Sequence, residues 1–336
     1  MKLENNYQSL IEQIKNTYTD GKAKAIKIVR RELVLTYWAV GKHIVEFEQK
    51  GNEKAAYGSK ILNRLSEDLS HQLGRGFNRS NLIYMRLMYL NYPNSNILSH
   101  HLTWGHYKEL LKIDLELERN FYEKQTILEK WTVRELIRQK SSALFLRIAA
   151  SQDKKGILDL AKSGSIIEKP EDIIRDPYVF EFLKIPEPHQ ISEKELETRL
   201  IDHLQSFLLE LGKGFTFVGR QYSILVDNEH YKIDLVFYHR FLRCFVLIDL
   251  KIDKVKHQDI GQMNMYLGYF ASEENTEGEN PPIGIILTRQ KNELLVEFAT
   301  YGMSSQLFVS KYQTYLPNEE ELRAKLEQIL SQEEEE

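Results

Sequence analysis

Two short apolar runs in the second half of the chain each carry an acidic residue where a buried strand should have none. One run spans residues 231–237 and contains Asp234, and the other spans residues 245–252 and contains Asp249 and Lys251. Because side chains alternate across a strand, Asp249 and Lys251 share one face. Burial of an unpaired carboxylate costs a free energy on the order of several kcal/mol. The fold must therefore give these acids a cation, a partner or a position at a strand end.

The residues alone leave two interpretations of these acids open. In the first, neighbouring strands bring Asp234 and Asp249 together, and Mg²⁺ or Mn²⁺ relieves their repulsion, since such hard ions prefer oxygen ligands. Lys251 would then hold or polarise the water that attacks a phosphodiester. In the second, both aspartates lie at strand ends and Lys251 pairs with one of them structurally.

The pattern from residue 192 onwards predicts an α/β core. Ser192–Glu195 has the composition of a capping box, and the helix that it begins should end near Gly212 and Gly214. Alternation and turn residues then predict the following strands and helices. The strands are 215–218, 222–226, 231–238, 244–250, 283–288 and 307–309, and the helices are 258–270, 292–300 and 316–331.

Helical spacing of apolar residues dominates the first half of the chain. It predicts helices over 22–50, 55–73 and 81–92, and further helix starts at Thr103 and Thr132. The short glycine-containing turn between the second and third helices is compatible with a helix-turn-helix unit. In that case Arg75, Arg79 and Arg86 lie on or near the DNA-contacting helix. An ordinary helical hairpin with solvated arginines is the alternative.

Charge is distributed unevenly between the two halves. Residues 1–150 carry 24 Lys and Arg against 16 Asp and Glu, a net charge of +8, whereas residues 151–336 carry 21 against 33, a net charge of −12. A basic half supplies an electrostatic surface for polyanions. No apolar stretch approaches the ~20 residues of a membrane span. With no secretory signal and a single cysteine, Cys244, the sequence predicts a cytoplasmic protein without disulfides or a cysteine zinc cluster.

A change in composition predicts the domain boundary. Residues 151–190 contain four of the chain's eight prolines together with Gly156 and Gly164, as a connector would. We therefore expect a helical domain over residues 1–150, a connector over 151–190 and an α/β domain over 191–332.

Several stretches carry a resemblance to a known family. In the second half they are Leu211–Phe215, Val218–Gln221, Ile233–Arg240, Leu242–Cys244, Ile248–Lys251 and Gly261–Leu267, and in the first half Tyr37–Gly41, Asn81–Arg86 and Trp104–His106. Together they resemble the PD-(D/E)XK nuclease superfamily, and within it the bacterial YhcG branch. Members of that branch join a helical N-terminal domain to a restriction-endonuclease-like domain with a mixed central sheet flanked by helices. The resemblance covers nearly the whole chain and is specific in residues 192–270.

The resemblance implies a role for each matching residue. Asp234 and Asp249 would be metal ligands, and Lys251 the catalytic lysine. Gln262 would be the accessory glutamine of the next helix, and Glu197 the acidic residue that the first core helix contributes to catalysis and to the metal. The branch usually has glutamate where this chain has Asp249, so the carboxylate is shorter by one methylene group.

The expected function is metal-dependent hydrolysis of DNA phosphodiesters by an endonuclease or DNA-processing nuclease. Mg²⁺ or Mn²⁺ is the implied cofactor, DNA the implied partner, and a homodimer or higher homo-oligomer the expected assembly, without a membrane. Arg220, Lys254 and Lys256 are candidates for phosphate contacts, with a solvated surface as the alternative for the two lysines. The competing hypothesis is a catalytically weak or inactive nucleic-acid-binding or assembly protein on a nuclease fold.

Overall fold

The protein divides into two compact units, Met1–Leu136 and Ile137–Glu336. The structure, a computed structural model, describes residues 2–50, 55–185 and 191–331, with the backbone alone at residues 2–6, 50, 55–60 and 75. The division differs from the predicted boundaries. It falls within a helix near residue 136, and the described part of the predicted connector belongs to the second unit.

The first unit is helical, as its sequence pattern predicts. Its described helices are α1 (Lys2–Lys50), α2 (Ala55–Leu73), α3 (Arg79–Asn91), α4 (Trp104–Leu110), α5 (Glu116–Glu129) and α6 (Val133–Ser141), the last of which continues into the second unit. The helix α1 begins about twenty residues earlier than expected. Residues 7–33 are exposed, so this part of the helix lies outside the core of the unit.

The packing of α1 against α3 forms part of the core of the first unit. Leu82, Met85 and Met88 on α3 are buried. A Cβ atom added to Gly41 on α1 would lie 1.9 Å from the carbonyl oxygen of Met85, so only glycine allows the two helices to approach this closely. The predicted helix, turn and helix are present, with Asn78 capping α3. The arrangement of these elements does not test the DNA-contacting role.

Side-chain caps fix two of the predicted helix starts. The Thr132 hydroxyl accepts a hydrogen bond from the backbone N–H of Glu135, and the Glu135 carboxylate accepts one from the backbone N–H of Thr132, which confirms the capping box of α6. The Ser192 hydroxyl accepts a hydrogen bond from the backbone N–H of Glu195 and begins the helix that follows it. That helix breaks at His203 instead of running unbroken to Gly212.

The second unit contains the sheet. Its further helices are α7 (Leu144–Ala149), α8 (Lys154–Ser163), α9 (Glu193–Asp202), α10 (Leu204–Leu211), α11 (His257–Tyr269), α12 (Glu293–Thr300) and α13 (Glu319–Ser331). The strands are β1 (Tyr178–Val179), β2 (Phe215–Val226), β3 (Glu229–His239), β4 (Cys244–Lys254), β5 (Ile283–Gln290) and β6 (Gln306–Gln313). Among the described residues, no helix is both long and apolar enough to cross a membrane.

The described strands form one mixed sheet in the order β1-β6-β5-β4-β3-β2. The strands β2, β3 and β4 are antiparallel, and β4, β5, β6 and β1 are parallel. This confirms the predicted fold class, a mixed central sheet flanked by helices. Two details differ from expectation. The strand β1 comes from the predicted connector, and β2 is one strand with a bulge near Val218 where the sequence predicts two strands.

Helices cover both faces of the sheet. Leu250 and Ile248 of β4 pack with Leu196 of α9 and Phe207 of α10 on one face. On the other face, Leu247 of β4 packs with α11 in a second buried cluster. Asp249 is two residues from Leu247 on β4, and side chains alternate along a strand. Asp249 therefore lies on the same face as Leu247, which is the face that α11 covers.

Candidate active site

The two aspartates meet where β3 and β4 begin to separate. The last paired residues at this end of the ladder are Leu235 and Ile248, and one further step in the same antiparallel register sets Asp234 opposite Asp249. The Asp234 Oδ2 atom accepts a hydrogen bond of 2.8 Å from the backbone N–H of Leu250, which ties this carboxylate to β4. The structure therefore brings the two predicted acids together across neighbouring strands.

Asp249 is buried and in contact with Lys251. The Lys251 Nζ atom lies 2.7 Å from Asp249 Oδ2. Burial, and then the charge of Asp234, raise the pKa of the Asp249 carboxyl to about 7, although Lys251 acts in the opposite direction. Burial disfavours a charge on Lys251, but Asp249, Glu193 and Asp234 together outweigh it and raise the pKa of the ammonium group. One lysine therefore does not compensate two neighbouring carboxylates.

A glutamine that the sequence analysis did not assign joins Asp234 to Glu197. The Gln221 Nε2 atom donates hydrogen bonds to Glu197 Oε2 at 2.7 Å and to Asp234 Oδ1 at 3.0 Å. Glu197 is buried on α9, and burial is the main cause that raises its pKa. Gln221 follows the bulge in β2 and has a φ of 47°, a left-handed conformation that is uncommon outside glycine.

The helix α11 contributes a tyrosine and the predicted glutamine. Gln262 donates a hydrogen bond through its amide to the Tyr266 hydroxyl, which in turn donates one of 3.1 Å to the Lys232 carbonyl oxygen. Burial and then the charges of Asp249 and Asp234 raise the pKa of Tyr266, so its hydroxyl lies within electrostatic reach of the acids. Gln262 is therefore held by a residue beside the acids, and its described hydrogen bond goes to Tyr266.

A further acid, Glu193, approaches the lysine. Its Oε2 atom lies 3.9 Å from Lys251 Nζ, and its Oε1 atom accepts a hydrogen bond of 3.4 Å from the backbone N–H of Ile252. The sequence gives Glu193 as the first residue of a capped helix, where acids are common for reasons of helix polarity alone. The sequence pattern therefore does not distinguish Glu193 from an ordinary acid at the start of a helix.

The predicted nucleic-acid contacts have different surroundings. Arg79, Arg220, Lys254 and Lys256 are exposed. Arg86 forms an ion pair with Glu48, with a distance of 2.7 Å from Nε to Oε2, so part of its guanidinium group already has a protein partner. The side chain of Arg75 lies outside the described residues. Contact of these residues with nucleic acid stays a prediction.

The carboxylates of the site can be compared with the ligands that a divalent cation needs. Within the part of the chain that the structure describes, no three or more His, Cys, Asp or Glu side chains form a group suited to a metal ion. The adjacent carboxylates of Asp234 and Asp249 nevertheless fit Mg²⁺, which usually retains several waters and binds through one or two carboxylates. A cation would also balance the charge that Lys251 leaves uncompensated.

Comparison with protein families gives two matches along the chain. Residues 171–327 match the YhcG PDDEXK nuclease domain, and residues 13–147 match the DUF1016 N-terminal domain. The Escherichia coli (strain K12) protein named "Putative nuclease YhcG" is 35% identical over 352 aligned positions, which cover 95% of this chain and 93% of that protein.

Comparison with solved structures gives weaker similarities. A repair endonuclease from Pyrococcus abyssi matches with a TM-score of 0.28 and 16% identity over 39% of this chain and 50% of that one. A structure of the EndoMS–dsDNA2 complex matches with a TM-score of 0.27 and 13% identity over 40% of this chain and 50% of that one. The present chain thus spans about half the length of these solved chains.

Proposed function

We propose that this chain, which belongs to the YhcG family of PDDEXK nucleases, is a metal-dependent deoxyribonuclease that hydrolyses phosphodiester bonds at Asp234, Asp249 and Lys251. Family membership supports nuclease activity in general. The observation that carries the assignment to these residues is their geometry. Two carboxylates meet across β3 and β4, and a lysine ammonium lies 2.7 Å from one of them.

The proposed cofactor is Mg²⁺ or Mn²⁺, held by Asp234 and Asp249. PD-(D/E)XK nucleases generally use divalent metals. A bound cation of this kind supplies Lewis acidity, lowers the pKa of a bound water and neutralises charge on the scissile phosphate. Glu197 is linked to Asp234 through the Gln221 amide, so it is placed to bind a water or a second ion.

The protein's own side chains would divide the remaining work. Lys251 carries a positive charge, so its Nζ atom can donate hydrogen bonds to a phosphate oxygen on which negative charge develops. The backbone N–H of Leu250 occupies one oxygen of Asp234 and the Gln221 amide contacts the other, which fixes the orientation of this carboxylate. The Tyr266 hydroxyl and the Gln262 amide support the wall of the site on α11.

The test is DNA cleavage by the full chain with and without Mg²⁺ or Mn²⁺, on supercoiled, linear and branched substrates. We expect Asp249→Asn and Lys251→Met each to lower the cleavage rate by at least about 100-fold, because the first removes a proposed metal ligand and the second removes the ammonium group that stabilises charge on the phosphate. Asp227→Asn at the turn between β2 and β3, and Lys325→Met on α13, are matched controls that should retain the wild-type rate.

Metal and DNA binding separate the proposed roles. In calorimetry with Mn²⁺, Asp249→Asn should lose binding, whereas Lys251→Met should bind Mn²⁺ and DNA and fail to cleave. Equal cleavage by wild type and both variants would exclude the assigned site. DNA binding by the wild type without any metal-dependent cleavage would favour the alternative, a non-catalytic binding or assembly protein.

A further inference from the structure

We propose that residues 7–33 of α1, here called the arm, pair with the arm of a second copy of this chain as an antiparallel two-stranded coiled coil. All 27 residues of the arm are exposed. They nevertheless include large apolar residues, among them Tyr7, Ile14, Tyr18 and Ile28, whose exposed fractions are 66%, 59%, 71% and 62%. Since helices in proteins owe most of their stability to burial of an apolar face, an arm of this composition requires a partner.

Five of the nine large exposed apolar residues of the arm lie at the spacing of a coiled-coil seam, and the other four, Leu10, Ile26, Val29 and Leu33, lie off it. Starting from Tyr7, alternating steps of four and three residues reach mostly apolar or small side chains for about four heptads. The positions of this seam are Tyr7, Ile11, Ile14, Tyr18, Gly21, Ala25, Ile28 and Glu32. A seam with a 3.5-residue repeat is the pattern by which two helices pack along their length.

The sizes of the seam residues favour the antiparallel arrangement. A parallel pair in register would set each seam residue against its own counterpart. Two Tyr18 side chains would crowd each other, two Gly21 residues would leave a gap, and two Glu32 carboxylates would repel each other. The antiparallel pair sets Tyr18 against Gly21 of the second copy, and Ile14 against its Ala25. In these two kinds of layer a large residue faces a small one, which suits knobs-into-holes packing. The same register sets Ile11 against Ile28 and Tyr7 against Glu32 of the second copy.

The charges of the arm favour the same arrangement. Residues 7–20 contain two acids and one base, whereas residues 21–33 contain five bases and one acid. Antiparallel pairing lays the acidic part of each arm along the basic part of the other, and parallel pairing lays the two basic parts together. At the positions that flank the seam, Lys15 lies against Lys22 of the second copy, and the acids Glu12 and Asp20 lie further from the seam. Size and charge thus select a second copy as the occupant, independently of the proposed nuclease activity.

The first test is the molar mass of the full chain in solution, measured by sedimentation across a concentration series. The wild type should be a dimer. The double variant Ile14→Glu with Tyr18→Glu should raise the dimer dissociation constant by at least about 100-fold, because four layers of the antiparallel seam, two from each copy, become charged. Asn16→Glu with Ala23→Glu adds the same charge away from the seam and should remain dimeric. Circular dichroism establishes that both variants retain their fold.

Gly21 gives a sharper test, since a Cβ atom there would meet no atom within 4 Å in the described chain outside its own stretch of helix. Gly21→Leu raises helix propensity and should leave the monomer intact, but it fills the space that Tyr18 of the second copy needs. We therefore expect weaker dimers for Gly21→Leu and unchanged dimers for Ala23→Leu, which places the same side chain off the seam. Equal dimer affinity for these two variants would contradict the proposal.

Cysteine cross-linking tests the direction of pairing. The native thiol, Cys244, is buried in the second unit. A mixture of Tyr18→Cys and Gly21→Cys chains should form disulfide-linked pairs of unlike chains, whereas Gly21→Cys alone should form few. Efficient cross-linking of Gly21→Cys with itself would establish parallel pairing and overturn the antiparallel arrangement. A monomeric wild type at about 100 μM, or a dimer unaffected by the two glutamates at Ile14 and Tyr18, would overturn the proposal altogether.

Discussion

Two buried carboxylates in the second unit have opposite electrostatic surroundings. Glu210 on α10 is fully buried, and Arg147 lies 2.8 Å, Arg138 3.2 Å and Arg175 3.6 Å from its oxygens. Burial alone would raise the pKa of Glu210, but the three arginines outweigh burial and lower it. Asp249 is also buried, but it faces a second carboxylate and a single lysine, and its pKa rises to about 7.

The difference teaches how to distinguish a structural acid from a functional one in the same fold. Glu210 is surrounded by more positive charge than it carries, and it also accepts a hydrogen bond from the backbone N–H of Val179. Asp249 and Asp234 together carry more negative charge than Lys251 can balance. An acid left without compensation in this way gains from a cation or another positively charged ligand.

The largest effect should come from breaking the compensated cluster. Glu210→Gln removes the charge that three buried or half-buried arginines share, so we expect a loss of about 3–5 kcal/mol in the free energy of unfolding, measured with denaturant. The control is Glu195→Gln, which breaks the exposed pair of Glu195 with Arg199 and should change stability by less than about 1 kcal/mol. Equal effects of the two substitutions would contradict the assigned role of Glu210.

Removing the charge of Asp249 should change the stability of the protein in the opposite direction. In the absence of divalent cations and above pH 7, Asp249→Asn should increase the free energy of unfolding by about 2 kcal/mol, because it removes a buried charge beside Asp234. Asp253→Asn lies exposed on the same strand and should have little effect. A loss of stability in Asp249→Asn, resembling that of Glu210→Gln, would show that this acid is compensated after all.

Asp249 and Glu210 should also contribute to the stability of the protein with opposite dependence on pH. A raised pKa means that the folded state binds the proton of Asp249 more tightly than the unfolded state does, so its contribution to stability is present below about pH 4 and is lost as the pH rises towards about 7. The lowered pKa of Glu210 gives a contribution that is present above about pH 4.5 and is lost in more acidic solution. Denaturation of wild type, Asp249→Asn and Glu210→Gln across pH 3–9 measures both ranges.

The smallest effect is expected at the glutamine that joins two acids. Gln221→Leu removes the amide that donates to both Glu197 and Asp234, and it should lower the free energy of unfolding by about 1 kcal/mol. It should also weaken Mn²⁺ binding by about 10-fold, because Asp234 loses a group that orients it. Gln290→Leu at the exposed end of β5 is the matched control. Unchanged Mn²⁺ affinity in Gln221→Leu would show that the amide does not orient the site.

From the residues alone, the meeting of Asp234 and Asp249 was one of two open interpretations, and the family resemblance favoured it over the other. A short turn between two apolar runs fixes an antiparallel register, and a two-residue alternation then decides which face each acid occupies. The capping box at Thr132 and the side-chain cap at Ser192 were predictable from local rules, since each acts within four residues.

Other features depend on contacts between distant residues and could not be predicted in this way. The strand β1 has two residues and exists because Tyr178 and Val179 pair with the end of β6. The role of Gln221 requires a bulge and a left-handed backbone in β2, neither of which has a composition signal here. The early start of α1 was missed, although Tyr7, Ile11, Ile14 and Tyr18 recur there at helical spacing.

The positions of the three arginines of Glu210 along the chain matter for preparing the sheet-containing part of the protein by itself. Arg138 and Arg147 precede residue 171, where the match to the nuclease family begins. A shortened protein cut at that match would leave the carboxylate of Glu210 with Arg175 as the remaining one of these three counter-ions. An expression fragment intended to fold autonomously should therefore start upstream of α6.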